Sequence, residues 1–405
     1  MSLFTSSHFV SACAKGSDWR VTVKNILQQL EAIRSDMNDF NLGFIYISDH
    51  LSEDAPSILN MLKSVLGVEN WVGSTAMGVC GSGVSYIDEP SISVMLAHFE
   101  EESFEIFNMI DEQGSGLPKS VDAWLKDRFP MLSFVHADAF SHADIGQQIL
   151  DVADATNSFM VGGVGSSRNI QYQFAGGVFE GGLSGVIMDE SVKVATTLSQ
   201  GCHIIASSHN VSNSDDNSIF ELDGERALDV FMRDLRSMTI KIMDQDPDEI
   251  MVDPDNIPEE FQAVLNGEVH AAVTVSESDQ KDYMVRHIIG IDPDEGAISI
   301  ADSVGIGERI LFVRRDEKTM REDLVESLLS LKARIEKDEG RFEPKGGLYV
   351  SCIARANFEA DKHPHAEMSV IREIIGDIPL AGFYAGGEVS NARLYGYTGV
   401  LTLFL

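Results

Sequence analysis

Trp71-Val72-Gly73-Ser74-Thr75-Ala76-Met77-Gly78, Met160-Val161-Gly162-Gly163-Val164-Gly165 and Leu380-Ala381-Gly382-Phe383-Tyr384-Ala385-Gly386-Gly387-Glu388 are three versions of one motif. Each is an apolar strand carrying a glycine in its middle and running into a turn of small residues. Working outward, each is preceded by another apolar strand (43–48, 132–137, 347–352) and an amphipathic helix (58–66, 145–153, 366–375). Each is succeeded by a further strand (91–96, 183–188, 398–404). Self-similarity at this scale marks repeated supersecondary units. The strand-helix-strand step is long enough for a right-handed crossover, so its two strands are expected to be parallel. The last strand comes after a turn and is expected to be antiparallel, which gives a mixed sheet. The fold class is therefore α/β with mixed sheets, in two α/β domains, 1–200 and 201–405, that meet near Gly201.

Flanking helices are expected where Val23, Ile26, Leu27, Leu30 and Ile33 form one apolar stripe and Met320, Leu324, Leu328, Leu331 and Ile335 another. The second stripe opens on Thr319-x-x-Glu322, the spacing of a capping box. The stretch 244–260, acidic and punctuated by Pro247, Pro254 and Pro258, reads as an exposed loop.

The chain has 405 residues, 44% of them hydrophobic, and 30 Lys+Arg against 64 Asp+Glu give a net charge of −34. Such a charge repels phosphate backbones and anionic lipid, so neither nucleic acid nor a membrane surface is an expected partner. The densest basic stretch, 309–321, is interleaved with Glu308, Asp316 and Glu317 and reads as a solvated helix start. Four scattered cysteines without Cys-x-x-Cys spacing encode no zinc ribbon or disulfide scaffold and fit a reducing cytoplasm. The N-terminus lacks the features of a secretory signal, and no apolar run approaches the roughly 18 residues of a membrane span.

Signatures of dinucleotide, P-loop and α/β-hydrolase sites are absent. His365-Ala366-Glu367 matches half of a zinc-deaminase signature, but no cysteine comes after Cys352 to complete it. His363 and His365, separated by Pro364, read as surface capping residues, and Asp244, Asp246 and Asp248 lack the glycine of an EF-hand loop. Neither a metal nor a cofactor is expected.

The run 283–297, then Arg314-Arg315-Asp316, Ser351-Cys352-Ile353-Ala354-Arg355 and 379–388, resembles in content and order the C-terminal domain of FIST (F-box and intracellular signal transduction) proteins. Upstream, Gly201-Cys202 and 221–227 resemble the family's junction, and 159–165 with 176–188 its N-terminal domain. The resemblance implies a cytoplasmic sensory protein that binds a small ligand, an amino acid or related metabolite, and acts on a separate signalling output protein.

Open sheets bind ligands beyond the carboxyl ends of their parallel strands. In the third copy that edge holds Cys352 to Arg355 and Gly382 to Glu388, where Gly386 and Gly387 offer backbone N–H groups. An amino-acid ligand needs a cation and an anion, which Arg355 and Glu388 supply. The alternative is a buried Arg355–Glu388 ion pair with Cys352 as a core residue. Arg286 is a second candidate cation, with a surface salt bridge as its alternative. No catalytic residue is expected. The competing functions are a cysteine-dependent enzyme, with Cys352 activated by Arg355 and His363 or His365, and an adaptor that uses its acidic surface.

Overall fold

The computed structural model describes residues 8–33, 40–109, 117–142, 144–243, 268–274, 283–356 and 365–405. The expected 244–260 loop, the Asp244–Asp248 pattern and His363 lie outside them. Apolar strands buried on both faces carry the first copy, which comprises β1 (Phe9–Lys15), β2 (Leu42–Ser48), β3 (Asn70–Ala76), β4 (Gly78–Gly81), β5 (Val84–Ile87) and β6 (Ser91–Ala97). Its helices are α1 (Trp19–Ile33) and α2 (Ala55–Leu66). The second copy comprises β7 (Phe104–Met109), α3 (Lys119–Trp124), β8 (Pro130–Ala137), α4 (Ile145–Thr156), β9 (Phe159–Val164), β10 (Gln173–Ala175), β11 (Val178–Phe179) and β12 (Leu183–Asp189). The third copy opens with β13 (Val194–Ser199) and is then interrupted.

The interruption is a separate unit, Gly201–Met320. Its strands are β14 (His203–Ile204), β15 (His209–Asp215), β16 (Ser218–Leu222), β17 (Glu225–Arg226), β18 (Val269–Thr274), β19 (Tyr283–Arg286), β20 (Ile288–Asp292), β21 (Ala297–Ile300) and β22 (Arg309–Arg314). Along the sheet they run β19-β18-β22-β15-β16-β21-β20. The apolar face of α5 (Ala227–Met243), with Val230, Phe231 and Leu235, shares a core with Val211, Ile298 and Phe312. Residues 309–314 thus form a strand rather than the expected helix start. The next helix, α6 (Glu317–Glu339), is capped by Asp316, whose Oδ1 accepts from Thr319 N–H at 2.8 Å. Thr319 therefore sits inside the helix instead of opening it.

The third copy resumes with β23 (Gly346–Cys352), α7 (Ile353–Ala356), α8 (Ala366–Ile375), β24 (Leu380–Ala385), β25 (Gly387–Ser390), β26 (Arg393–Tyr395) and β27 (Gly399–Phe404). Residues 321–405 belong to the same compact unit as 1–200. The 201–405 segment expected as one domain is thus divided, because the third copy supplies part of the first unit's core. Phe404 packs on Phe9 and Phe44, and Phe383 stacks on Tyr46 with ring centroids 4.9 Å apart.

All three copies have one topology. β2–β3, β8–β9 and β23–β24 are parallel, and β6, β12 and β27 pair antiparallel to β2, β8 and β23. Gly73, Gly162 and Gly382 lie opposite Ile45, Val135 and Tyr349, and a Cβ at any of them would collide with that partner's carbonyl oxygen. The recurring glycine is thus a packing requirement of the sheet.

Beyond the glycine strand lies more than a simple turn. In each copy the chain crosses to another copy's sheet and adds a hairpin there, so the sheets read β1-β6-β2-β3-β10-β11, β26-β25-β9-β8-β12-β7 and β13-β27-β23-β24-β4-β5. The second copy completes the first sheet, the third completes the second, and the first completes the third. Helices cover the outer faces, as where Ile26, Leu30, Ile58 and Leu62 pack on Ile45 and Trp71. The inner faces share one core containing Phe44, Phe134, Val161, Val350 and Phe383.

Candidate functional site

At the carboxyl end of β23 the chain turns directly into α7, which tucks Arg355 beneath the strand ends at 3% exposure. Its Nε donates to Glu367 Oε1 at 2.7 Å, its Nη1 to the carbonyls of Tyr397 (3.2 Å) and Ser199 (3.4 Å), and its Nη2 to Ser199 Oγ at 3.4 Å. Burial works against the guanidinium charge, but Glu367 keeps its pKa above the ordinary value. Glu367 is itself held by Ser351 Oγ (2.8 Å) and the Tyr349 hydroxyl (3.4 Å), and Ser199 Oγ donates to Asp323 at 2.6 Å. The partner of Arg355 is therefore Glu367 and not Glu388, in a network whose hydrogen-bonding capacity is largely used.

Glu388 projects inward from β25 and is fully buried. Its Oε2 accepts from the backbone N–H (3.0 Å) and the hydroxyl (2.9 Å) of Thr398. Its Oε1 has no hydrogen-bond partner among the described residues. Burial pushes the carboxyl up to about 8, against the opposing pull of Thr398, Cys352 and Arg355. The neighbouring thiol of Cys352 is pushed up to about 12, by burial and then by the charge of Glu388.

Residues 396–398 join these groups. Tyr397 accepts from Arg355, Thr398 donates to Glu388, and the Thr398 carbonyl accepts from Cys352 N–H at 2.9 Å. Tyr397 holds a left-handed backbone (φ 68°), which costs a non-glycine residue about 1 kcal/mol. The segment is a strap tied to both charges, and Cys352, Arg355 and Glu388 converge on it.

The internal symmetry supplies a control for Glu388. Cys80, Phe174 and Val389 lie opposite the three recurring glycines, so the residues preceding them, Val79, Gln173 and Glu388, are equivalent. Val79 is apolar. Gln173 is satisfied by the Gly181 and Gly182 carbonyls (2.9 Å each) and by Ser184 Oγ (2.6 Å). Only the third copy puts a carboxyl there, and it leaves one oxygen unmatched.

The other expected residues fall elsewhere. Gly382 packs inside β24 against the Tyr349 carbonyl, and the N–H of exposed Gly386 is taken by the Val164 carbonyl at 2.8 Å. Gly387 is paired with Val164 in the hairpin added to the second sheet. Arg286 lies in the other unit, where its Nε donates to Asp302 at 2.6 Å in an ion pair. His365 is engaged through Nδ1 by the N–H of Ser85 at 2.8 Å. No group of three or more potential metal ligands occurs among the described residues. None of the described helices is long and apolar enough to cross a membrane.

Sequence reasoning missed Glu367, Ser199, Tyr397 and Thr398, which complete the network. It also missed Arg168, which clamps Asp49 (2.7 and 2.9 Å) and pairs with Asp88 (2.7 Å) across two copies. On the same unit, two cavities of about 300 Å³ share Val194, Thr196, Glu339 and Leu405 in their walls. Glu388 lines neither of them.

Among relatives, the chain is 27% identical to uncharacterized protein Rv0628c of Mycobacterium tuberculosis over 364 residues, which covers 87% of this chain and 88% of that protein. It is 26% identical to uncharacterized protein Mb0898c of Mycobacterium bovis over 368 residues, with the same coverage. Residues 41–225 match the FIST N domain and 227–391 the FIST C domain. Together these matches take in Cys352, Arg355, Glu367 and Glu388 and most strands of the repeated sheets, while the strap at 396–398 lies beyond them, and the chain belongs to the FIST family of sensory signal-transduction domains.

Proposed function

We propose that this protein is a cytoplasmic sensor that binds a small ligand, an amino acid or related metabolite, at the strap around Cys352, Arg355 and Glu388, and signals to a separate output protein. The observation that carries this reading is the unmatched Glu388 Oε1, a buried acceptor at a position where the other two copies place apolar Val79 or satisfied Gln173. A buried polar atom without a partner is expensive, and functional sites are where such costs persist. A ligand donor to Oε1 removes the cost. Because the strap also ties down Arg355, ligand entry at Glu388 rearranges both anchors, and that motion is the signal. A cysteine nucleophile fits less well, because burial raises the Cys352 thiol, opposite to the activation such chemistry needs.

The test is a thermal-shift screen of amino acids and their metabolites against the wild type and Glu388→Gln. A ligand at 100 times its Kd adds about 2.7 kcal/mol of stability. The expected result is a hit that is lost in Glu388→Gln. A hit retained in that variant moves the site elsewhere.

A further inference from the structure

Resting on that reading, we infer that Glu388 receives the cationic end of a ligand with no carboxylate of its own, so that the ligand class is an alkylamine rather than an α-amino acid.

Charges and donors decide between the two classes. An α-amino acid brings one ammonium and one carboxylate. The ammonium has a place, since Glu388 Oε1 is a buried acceptor with no partner among the described residues. Among the described residues around Arg355 and Glu388 the carboxylate has none. Arg355 is neutralised by Glu367, which Ser351 and Tyr349 fix in turn, and its other hydrogen bonds go to Tyr397 and Ser199. A ligand carboxylate would either evict Glu367 or set a second carboxylate beside the same guanidinium in a buried site, and a buried charge without its own partner is strongly unfavourable. The surroundings of Glu388 add no second charge beside Arg355: Gly163, directly opposite, carries no side chain because a Cβ there would meet Val350 and Ala385, and Cys352 adds an uncharged thiol.

Binding also moves a proton in a balanced step. The neutral carboxyl of Glu388 loses its O–H proton to solvent as the R–NH3+ group arrives, leaving a carboxylate–ammonium pair. The groups facing Glu388 are Cys352 on β23, Arg355 on α7 and Tyr395, its partner on β26. His136 on β8 lies in the same cross-strand row beyond Gly163, and burial keeps it neutral down to about pH 3. Arg355 is charged throughout, so Glu388 is the group in this set that changes charge near neutrality.

The experiment compares ethylamine, 3-methylbutylamine and phenethylamine with alanine, leucine and phenylalanine, which differ from them by the carboxylate, and with the matching alcohols. The full chain is used, followed by thermal shift and by calorimetry at pH 6.5 in two buffers of different ionisation enthalpy. At least one amine should bind about tenfold or more tighter than its amino acid and its alcohol. Its binding should release about one proton per amine and be lost in Glu388→Gln. An amino acid that binds tighter than its amine, and is lost in Arg355→Lys, overturns the amine assignment and leaves the sensor reading standing. Amine binding that persists in Glu388→Gln, or the absence of any shift with all nine probes, overturns the assignment to Glu388.

Discussion

Replacing Glu388 with Gln should stabilise the protein, and by an amount that depends on pH in a defined way. The carboxyl titrates at about 8 in the folded state against an ordinary value of 4.5. A pKa raised by folding means that the stability linked to the protonated form is fully present below 4.5. It is lost progressively as pH rises through 8. At about 1.4 kcal/mol per pKa unit, ionisation costs the wild type on the order of 3 kcal/mol at pH 7 and about 5 kcal/mol at the plateau above pH 8. Gln cannot ionise, and the equivalent Gln173 shows that the second copy holds an amide at this position of the repeat. The difference between variant and wild type should therefore be near zero at pH 4.5, grow through neutrality and level off above pH 8. Urea denaturation followed by tryptophan fluorescence is the assay, because Trp19, Trp71 and Trp124 all lie in the unit that contains Glu388. A difference that stays flat from pH 4.5 to 9, or a variant less stable than the wild type at pH 8, would refute the account of Glu388 as a carboxyl held against its own ionisation.

Three other outcomes are expected. Gly73→Ala and Gly162→Ala should each cost several kcal/mol or abolish folding, since the new Cβ meets a strand carbonyl and φ is 155° and 141°, whereas Gly340→Ala, at φ 76° in open space, should cost about 1 kcal/mol. Burial lowers His136 to about 3, so its contribution to stability is full above pH 6.5 and falls by about 1.4 kcal/mol per unit as pH drops from there toward 3; an NMR titration in which its ring protonates near 6 would contradict this. Iodoacetamide should label Cys352 slowly at pH 7.5, with the thiol near 12, and labelling as fast as that of a free thiol would revive the nucleophile reading.

Arg355 and Glu388 show how far residues near in sequence and topology can be read. Both are legible as charges at the carboxyl edge of the third copy, because alternating apolar strands and amphipathic helices place that edge without coordinates. Their partners are not. Glu367 stands out in the sequence only as part of an incomplete zinc signature, and nothing in one sequence says that the helix at 366 delivers it to Arg355. Gly386 reads as a free donor because a glycine run suggests a turn, yet the next residues form a strand on another copy's sheet.

Local pattern fixed the repeated unit. Apolar periodicity, the crossover length and the glycine at positions 73, 162 and 382 sufficed, because each depends on residues within one copy. The exchange of hairpins among copies, the return of 321–405 to the first unit and the unmatched oxygen of Glu388 were decided only by tertiary structure. The reason is physical. Strand pairing between distant segments and the desolvation of a carboxyl depend on what the folded chain brings alongside, and a hairpin of two short strands carries no local mark of the sheet whose edge it will complete.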